Sequence, residues 1–370
     1  MNVRIALDAM GGDFLAVPNL QGAFSAIKRS LDEGKNLKVY LVGPKERVLG
    51  SLQEAIDDPG VDEDYKIDRN QFEKFLNEGL LELVDCTQVV DMDESPGVVV
   101  RSKRDSSMGK SFQLVRDGKA DAMISAGNSG AVMAYGIANL GRISEVRRPA
   151  ILCHFPSKSG VTALLDAGAN VDCTSEQLFQ FAVMGQIYFQ SVFEKKDVKV
   201  ALLNIGEEEG KGNEAVKATA ALLKEKMPES YFGFVEGRDI MKGKVDVIVC
   251  DGFVGNVVLK TAEGVAQVVK ETLKEEFSRN PIWGLGAWLA KGGFMAMKTK
   301  LDYREYGAAP LIGLNGLGLV AHGSSDGKAI TNAIRIAERY VQNGLIEKLQ
   351  KAFGDKTEAA ALVAEVVGEG

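Results

Sequence analysis

Asp121–Ala134 reads DAMISAGNSGAVMA, an apolar run that breaks at Gly127, Asn128, Ser129 and Gly130 and then turns apolar again at helical spacing. That spacing predicts a buried strand, a tight loop and a helix start. Such a loop leaves several backbone N–H groups at the positive end of a helix, and its small residues let an anion approach them. Alone, a glycine-rich turn of this kind usually only solves a packing problem. The same order of apolar strand, small polar loop and helix recurs at Ile5–Asp13, Ala163–Asp172, Val200–Asn213 and Val245–Asn256. In a parallel sheet these loops emerge together at the carboxyl edge, where open α/β proteins bind ligands. The expected fold class is therefore α/β with a mainly parallel sheet, and the expected site is one shared pocket.

Composition narrows the function. A chain of 370 residues, 45% of them hydrophobic, can bury a large core. Its formal net charge of -7 argues against a nucleic-acid partner, and no GxxxxGK[ST] signature occurs. Cys86, Cys153, Cys173 and Cys250 are scattered without CxxC spacing, and His154 and His322 are the only histidines, so neither a disulfide framework nor a histidine-rich metal site is expected. No leader precedes the first strand and no apolar run reaches the roughly 18 residues of a spanning helix, which leads to the expectation of a cytoplasmic protein with reduced thiols.

Each loop carries its own candidates. Gly11 and Gly12 in DAMGGD leave amides uncovered, with Asp8 read as a loop anchor and Asp13 beside them. Asp166, Asn170 and Asp172 surround Gly168 and suit a hydrogen-bonding pocket better than a divalent ion. Lys211 lies between Gly210 and Gly212, where its ammonium can reach an anion; a solvated loop lysine is the competing reading. After the strand Val245–Cys250, Asn256 either caps a helix or offers its amide to a carbonyl oxygen. His322 and Ser324 stand in a sixth small loop, AHGSSD, before a helix at Lys328–Val341. His154 sits in an apolar strand read as Ile151–Phe155, which favours a packed histidine. The acidic Pro44–Gly79 segment reads as a surface excursion with two short helices, and Val98–Lys119 as a local basic patch, equally an ordinary helix surface.

From Ala262 to Lys300 the pattern changes to two helices joined by Pro281–Ala290, a stretch without charge that holds both tryptophans. Ile282, Trp283, Leu285, Trp288 and Leu289 suit a lipid interface, with a dimer contact or a covered hairpin as alternatives. The chain thus divides into one α/β domain over 1–350, a helical hairpin at 262–302 within it, and a helical tail at 351–370.

In order, DAMGGD, ADAMISAGNSGA, LLDAGANVD, LLNIGEE with KGNE, DGFVGNVVLK, YGAAPLIGL and AHGSSD resemble the bacterial acyl-ACP:phosphate acyltransferases of the PlsX type, and the matching blocks span nearly the whole chain. The resemblance implies a three-layer α/β/α fold related to isocitrate and isopropylmalate dehydrogenases and to phosphotransacetylase. It also implies a homodimer in the cytoplasm, in peripheral contact with the membrane, that makes acyl phosphate from acyl carrier protein (acyl-ACP) and inorganic phosphate for a membrane glycerol-3-phosphate acyltransferase. The family's pocket motifs fall on Gly11, Gly12, Asp13, Asn128, Ser129, Asn170, Lys211, Asn213, Asp251, Asn256, His322 and Ser324, with Gly127 in the same turn. No cofactor or metal is implied. The family often has His where this chain has Phe14, and the acidic 57–70 segment has no family counterpart.

Phosphate needs no strong base, because by analogy with phosphate esters (roughly 6) its second ionisation lies at about pH 6 to 7. A thiolate with a free pKa of about 8.5 is a fair leaving group. The expected chemistry is direct attack by phosphate without an acyl-enzyme, so neither a Ser-His nor a Cys-His pair is required. Ser129, Asn128 and the Gly11 and Gly12 amides are assigned to phosphate, Lys211 and Asn256 to the oxyanion, and Asp251 and Asn213 to orienting them. The rivals are a phosphotransacetylase-like enzyme using acyl-CoA and, from another class, a non-catalytic scaffold for acyl carrier protein and membrane enzymes. A decarboxylating dehydrogenase is disfavoured by the absence of a nucleotide fingerprint.

Overall fold

The apolar runs before the polar loops are buried on both faces, which is the condition for parallel strands covered by helices on either side. The computed structural model describes residues 2–295 and 307–354. In chain order the strands are β1 (Val3–Asp8), β2 (Leu37–Val42), β3 (Leu81–Val84), β4 (Ala122–Ser125), β5 (Ala150–Ile151), β6 (Cys153–Ser157), β7 (Gly160–Leu165), β8 (Val200–Leu203), β9 (Tyr231–Val235), β10 (Val247–Val249), β11 (Ala308–Ile312) and β12 (Leu317–Ala321).

They form two sheets rather than one, in the orders β3-β2-β1-β4-β12-β11-β5 and β6-β7-β10-β8-β9. In the first sheet β3, β2, β1, β4 and β12 are parallel, and β11 returns antiparallel between β12 and β5. In the second, β7, β10, β8 and β9 are parallel, with β6 as an antiparallel edge. Ile151–Phe155, read from sequence as one strand, is divided at Leu152 between the two sheets, so the chain changes sheet where a continuous apolar run hides the break. One buried apolar cluster includes Ile5 and Leu319 of the first sheet and Val200 and Val247 of the second.

Helices cover both faces. Ala16–Asp32 packs against Gly327–Gln342 so closely that a Cβ on Gly22 would lie 2.4 Å from the Ile330 side chain. The Pro44–Gly79 segment is more than a surface excursion: it holds the helices Lys45–Gly50, Leu52–Asp57 and Arg69–Asn77. Leu52, Ala55, Phe72 and Phe75 from it are buried, and the Phe75 ring stands 5.4 Å from that of Phe24. Its high charge masked these few spaced apolar residues.

The helix predicted to begin near Asn256 starts at Gly252 and runs 28 residues to Arg279. The uncharged stretch that read as a connector is itself the helix Pro281–Leu289, with Pro281 at the first helical position, where a missing N–H costs nothing. The remainder of the expected hairpin, 296–302, and the tail beyond Gly354 lie outside the described residues.

Candidate active site

From β1 the chain winds to β2 and β3 on one side, then returns to β4 on the other, which makes the β1/β4 boundary the switch point of the first sheet. The loops after β1 and β4 meet there. Asp8, at the end of β1, is buried and accepts hydrogen bonds from the Ser125 hydroxyl (2.7 Å) and the Met10 N–H (3.1 Å), while the Gly127 N–H donates to Ser125 Oγ (3.0 Å). Burial pushes the Asp8 carboxyl up from its ordinary range. Asp8 is therefore the loop anchor that the sequence suggested. The Asp13 N–H donates to the Gly323 carbonyl at 2.8 Å, drawing in the loop after β12. Gly12 turns this corner at φ 97°, a conformation that suits glycine.

The contents of this loop cluster differ from the sequence assignment. The Gly11 N–H donates to Asp8 O (3.4 Å) and that of Gly127 to Ser125, so both are engaged within the loops. Asn128 caps the helix Ser129–Leu140 by accepting from the Ala131 N–H (3.0 Å), and its amide donates to the carbonyls of Met92 (2.8 Å) and Glu94 (3.1 Å). Its side chain is a clamp. Among the described residues, the N–H groups of Gly12, Ser129 and Gly130 have no protein acceptor, and Ser129 is exposed at the helix N-terminus. These are the groups an anion can use.

The second sheet repeats the device. Asp166, buried at the end of β7, accepts from the N–H groups of Ile151 (3.0 Å), Gly168 (3.2 Å), Ala169 (3.1 Å) and Asn170 (2.7 Å) and from the Asn170 amide (2.8 Å). Asn170 also donates to Pro149 O (2.8 Å), and its carbonyl accepts from the Gly252 N–H (2.7 Å), so it ties the β7 loop to the β10 loop. Asp251 caps the long helix through the Val254 N–H (2.8 Å), which leaves Asn256 free of capping; its exposed side chain rests beside Gly168. Cys250 is buried, and burial pushes its thiol well above the ordinary range, in keeping with a small hydrophobe.

Lys211 projects from the loop after β8, next to β10 in the sheet. Glu207 pairs with Lys244 (3.1 Å) and Glu209 with Lys224, holding that loop from two sides, and Asn204 donates to the Lys211 carbonyl (3.1 Å). Asn213 caps the following helix through the Val216 N–H (2.9 Å). Among the described residues no ion pair engages the exposed Lys211 ammonium.

One helix joins the two sets of loops. Asn256, Lys260 and Glu263 stand at helical spacing on one face of Gly252–Arg279; Asn256 is beside the β7 loop, and Glu263 Oε2 lies 3.7 Å from His322 Nε2 in the β12 loop. At about 1.5 Å of rise per residue the stripe is roughly 10 Å long. His322 Nδ1 in turn lies 2.8 Å from Ser324 Oγ and 3.2 Å from its N–H. This is a Ser-His pair that the sequence reading did not anticipate, since it joins residues two apart in one loop. The stripe itself was legible as the i, i+4, i+7 spacing in NVVLKTAE.

Two further sequence features resolve differently. The basic segment is partly paired in place: Lys103 pairs with Glu94 (2.5 Å), Lys110 with Asp105 (2.8 Å) and Arg116 with Asp117 (2.9 Å), while Arg101, Arg104 and Lys119 are exposed. His154 is a packed histidine, its Nε2 2.6 Å from the Tyr188 hydroxyl, as the sequence favoured.

The chain matches the family model described as "Fatty acid synthesis protein" over residues 3–348. A protein of Dictyoglomus turgidum named phosphate acyltransferase is 43% identical over 359 residues, covering 96% of this chain and 99% of that protein. Another of that name, from Pelotomaculum thermopropionicum, is 43% identical over 351 residues, 95% of each chain. Among solved structures, the EutD phosphotransacetylase of Staphylococcus aureus superposes with a TM-score of 0.54 at 15% identity, over 92% of this chain and 94% of that one. A phosphotransacetylase from Streptococcus pyogenes gives 0.54 at 16% identity, over 94% of each.

Proposed function

Because this chain belongs to the fatty acid synthesis protein family, whose curated relatives are phosphate acyltransferases, it is an acyltransferase acting with phosphate, and we propose that its acyl donor is long-chain acyl-ACP. Its products are then acyl phosphate and free acyl carrier protein, and the acyl phosphate feeds glycerol-3-phosphate acylation by a membrane enzyme. The observation that carries this reading is the joining of two sets of strand-end loops by one helix, which presents Asn256 beside the β7 loop and meets His322 of the β12 loop through Glu263.

Phosphate binds to the open N–H groups of Gly12, Ser129 and Gly130, with the Ser129 hydroxyl, His322 and Ser324 completing its shell. Those fixed dipoles replace its water without reorganising during the reaction. A phosphate oxygen attacks the thioester carbonyl carbon; the C–S bond breaks, and the thiolate leaves with the electron pair. Lys211 and Asn256 stabilise the oxyanion, while Asp251 and Asn213 orient their helices and loops as N-caps. No acyl-enzyme forms, consistent with a buried Cys250 whose thiol resists ionisation. Asp13 and Asn170 act on the backbone of the loops.

The exposed helix Pro281–Leu289 supports peripheral membrane contact in the cytoplasm. A homodimer remains part of the reading. Among the described residues no helix is long and apolar enough to cross a membrane.

Thiol release from acyl-ACP, measured with and without inorganic phosphate, tests the proposal. Acetyl-CoA turning over as well as long-chain acyl-ACP would replace it with the phosphotransacetylase-like reading, and no phosphate dependence would leave the scaffold. Lys211→Ala and Asn256→Ala should each lower kcat by roughly 100-fold or more, the usual scale for an oxyanion donor; retained kcat in both would refute their assignment.

A further inference from the structure

Glu263 belongs to no glycine loop, yet it is where the two sets of strand-end loops are joined. A single carboxylate oxygen, Oε2, lies 2.8 Å from Lys260 Nζ and 3.7 Å from His322 Nε2. Lys260 comes from the same helix, one turn earlier; His322 comes from the other sheet. The imidazole is anchored at its other nitrogen, where Nδ1 accepts from the Ser324 N–H at 3.2 Å and meets the Ser324 hydroxyl at 2.8 Å. With Nδ1 accepting, the proton of the neutral ring lies on Nε2, facing Glu263; the tautomer follows from this bonding pattern. The carboxylate is half-buried, with 31% of its side chain exposed, and His322 and Lys260 hold its ionisation below the ordinary range.

A carboxylate in this position cannot itself bind a phosphate dianion, since like charges repel at short range. What it can do is fix the two groups beside it, the Lys260 ammonium and the His322 ring, as carboxylates behind histidine ligands do in metal sites. We infer that Glu263 is a positioning residue for the anion site, holding the Lys260 ammonium as the donor that faces inorganic phosphate and fixing the His322 ring that anchors the Ser324 loop. This rests on the phosphate-dependent reaction proposed above.

The test is steady-state kinetics with phosphate as the varied substrate, for Glu263→Gln, His322→Gln and the double variant. In E263Q the KM for phosphate should rise roughly tenfold, the scale of one charge-assisted contact, while kcat and the KM for acyl-ACP stay within about threefold. In the His322→Gln background the same change should add much less than it does alone, because the residues act as one unit. If Gln at this position impairs folding, Glu263→Asp carries the test, with an expected rise of about threefold as the ion pair weakens. An unchanged KM for phosphate, equal losses for both substrates, or effects that multiply in the double variant would overturn the inference. Wild-type protein without phosphate-dependent turnover would instead overturn the functional reading itself.

Discussion

The polar side chains that matter here divide into those closed on one another and those left open to a ligand, and His154 defines the first kind. Its Nε2 meets the Tyr188 hydroxyl at 2.6 Å, and that hydroxyl lies 2.9 Å from the one on Tyr340. Burial, with the nearby Arg339 charge, lowers the imidazole pKa from 6.5 to about 4. The folded state therefore binds fewer protons than the unfolded chain in that interval. The stability gained by keeping the ring neutral is full above about pH 6.5 and is lost as pH falls toward 4, a loss of about 3 kcal/mol at most. His154→Gln retains a donor for the tyrosines and does not titrate. Urea midpoints at pH 7 and 4.5 should fall further for the wild type than for this variant, and parallel falls would contradict the account. His322, by contrast, is 39% exposed and stands against Glu263 of the long helix. Their sequence neighbours alone separate the two, because one histidine lies in an apolar strand and the other between small polar residues.

At the scale of elements, the glycine loops are held by buried acids at strand ends. Asp8 at the end of β1 takes the Met10 N–H and the Ser125 hydroxyl, and Asp166 after β7 gathers the successive N–H groups of Gly168, Ala169 and Asn170. The long helix then docks on the second knot. A Cβ on Gly255 would sit 1.8 Å from the Asp166 carbonyl oxygen, so this glycine is required by contact rather than by φ. Gly255→Ala must push the helix off the loop, and Asn256, Lys260 and Glu263 move with it. The expected result is destabilisation by roughly 2–4 kcal/mol, in the range of overpacking and broken caps, with activity falling more than stability alone explains. Asp251→Ala, which only removes an N-cap, should cost about 1 kcal/mol. Thermal unfolding of the two variants checks this; equal, small losses would mean the contact relaxes easily. The loop positions were legible because strand, small residues and helix are encoded locally. Which N–H groups remain open was not: Asn128 is engaged by the Met92 and Glu94 carbonyls, which only the fold brings near, and Gly11 and Gly127 are closed on Asp8 and Ser125 by turns whose geometry composition does not specify. The split into two sheets was equally hidden, because no residue between Ile151 and Phe155 signals a break.

Across the whole molecule, the helix that joins the two sets of loops also carries the apolar arm, since Pro281–Leu289 follows its last residue after only Asn280. Twenty-eight residues at about 1.5 Å each put the two ends some 40 Å apart. The arm's apolar side chains have nothing to cover them within the described chain: Ile282 is 76% exposed, Trp288 69%, Leu289 72% and Leu285 57%. On the reading proposed above, the product is an amphiphilic, readily hydrolysed acyl phosphate whose release beside a bilayer limits its loss, and tryptophans suit that interface. Each large apolar side chain contributes roughly 1.5–3 kcal/mol on transfer from water, so removing three should weaken vesicle binding by far more than 100-fold. Trp283→Ser, Leu285→Ser and Trp288→Ser combined should abolish sedimentation with phosphatidylglycerol vesicles and leave turnover of soluble acyl-ACP intact, because none of the three lies near the strand-end loops. Unchanged sedimentation would remove the membrane from the account. Intact sedimentation together with a dimer that falls apart on gel filtration would reassign the same apolar face to a second copy of the chain.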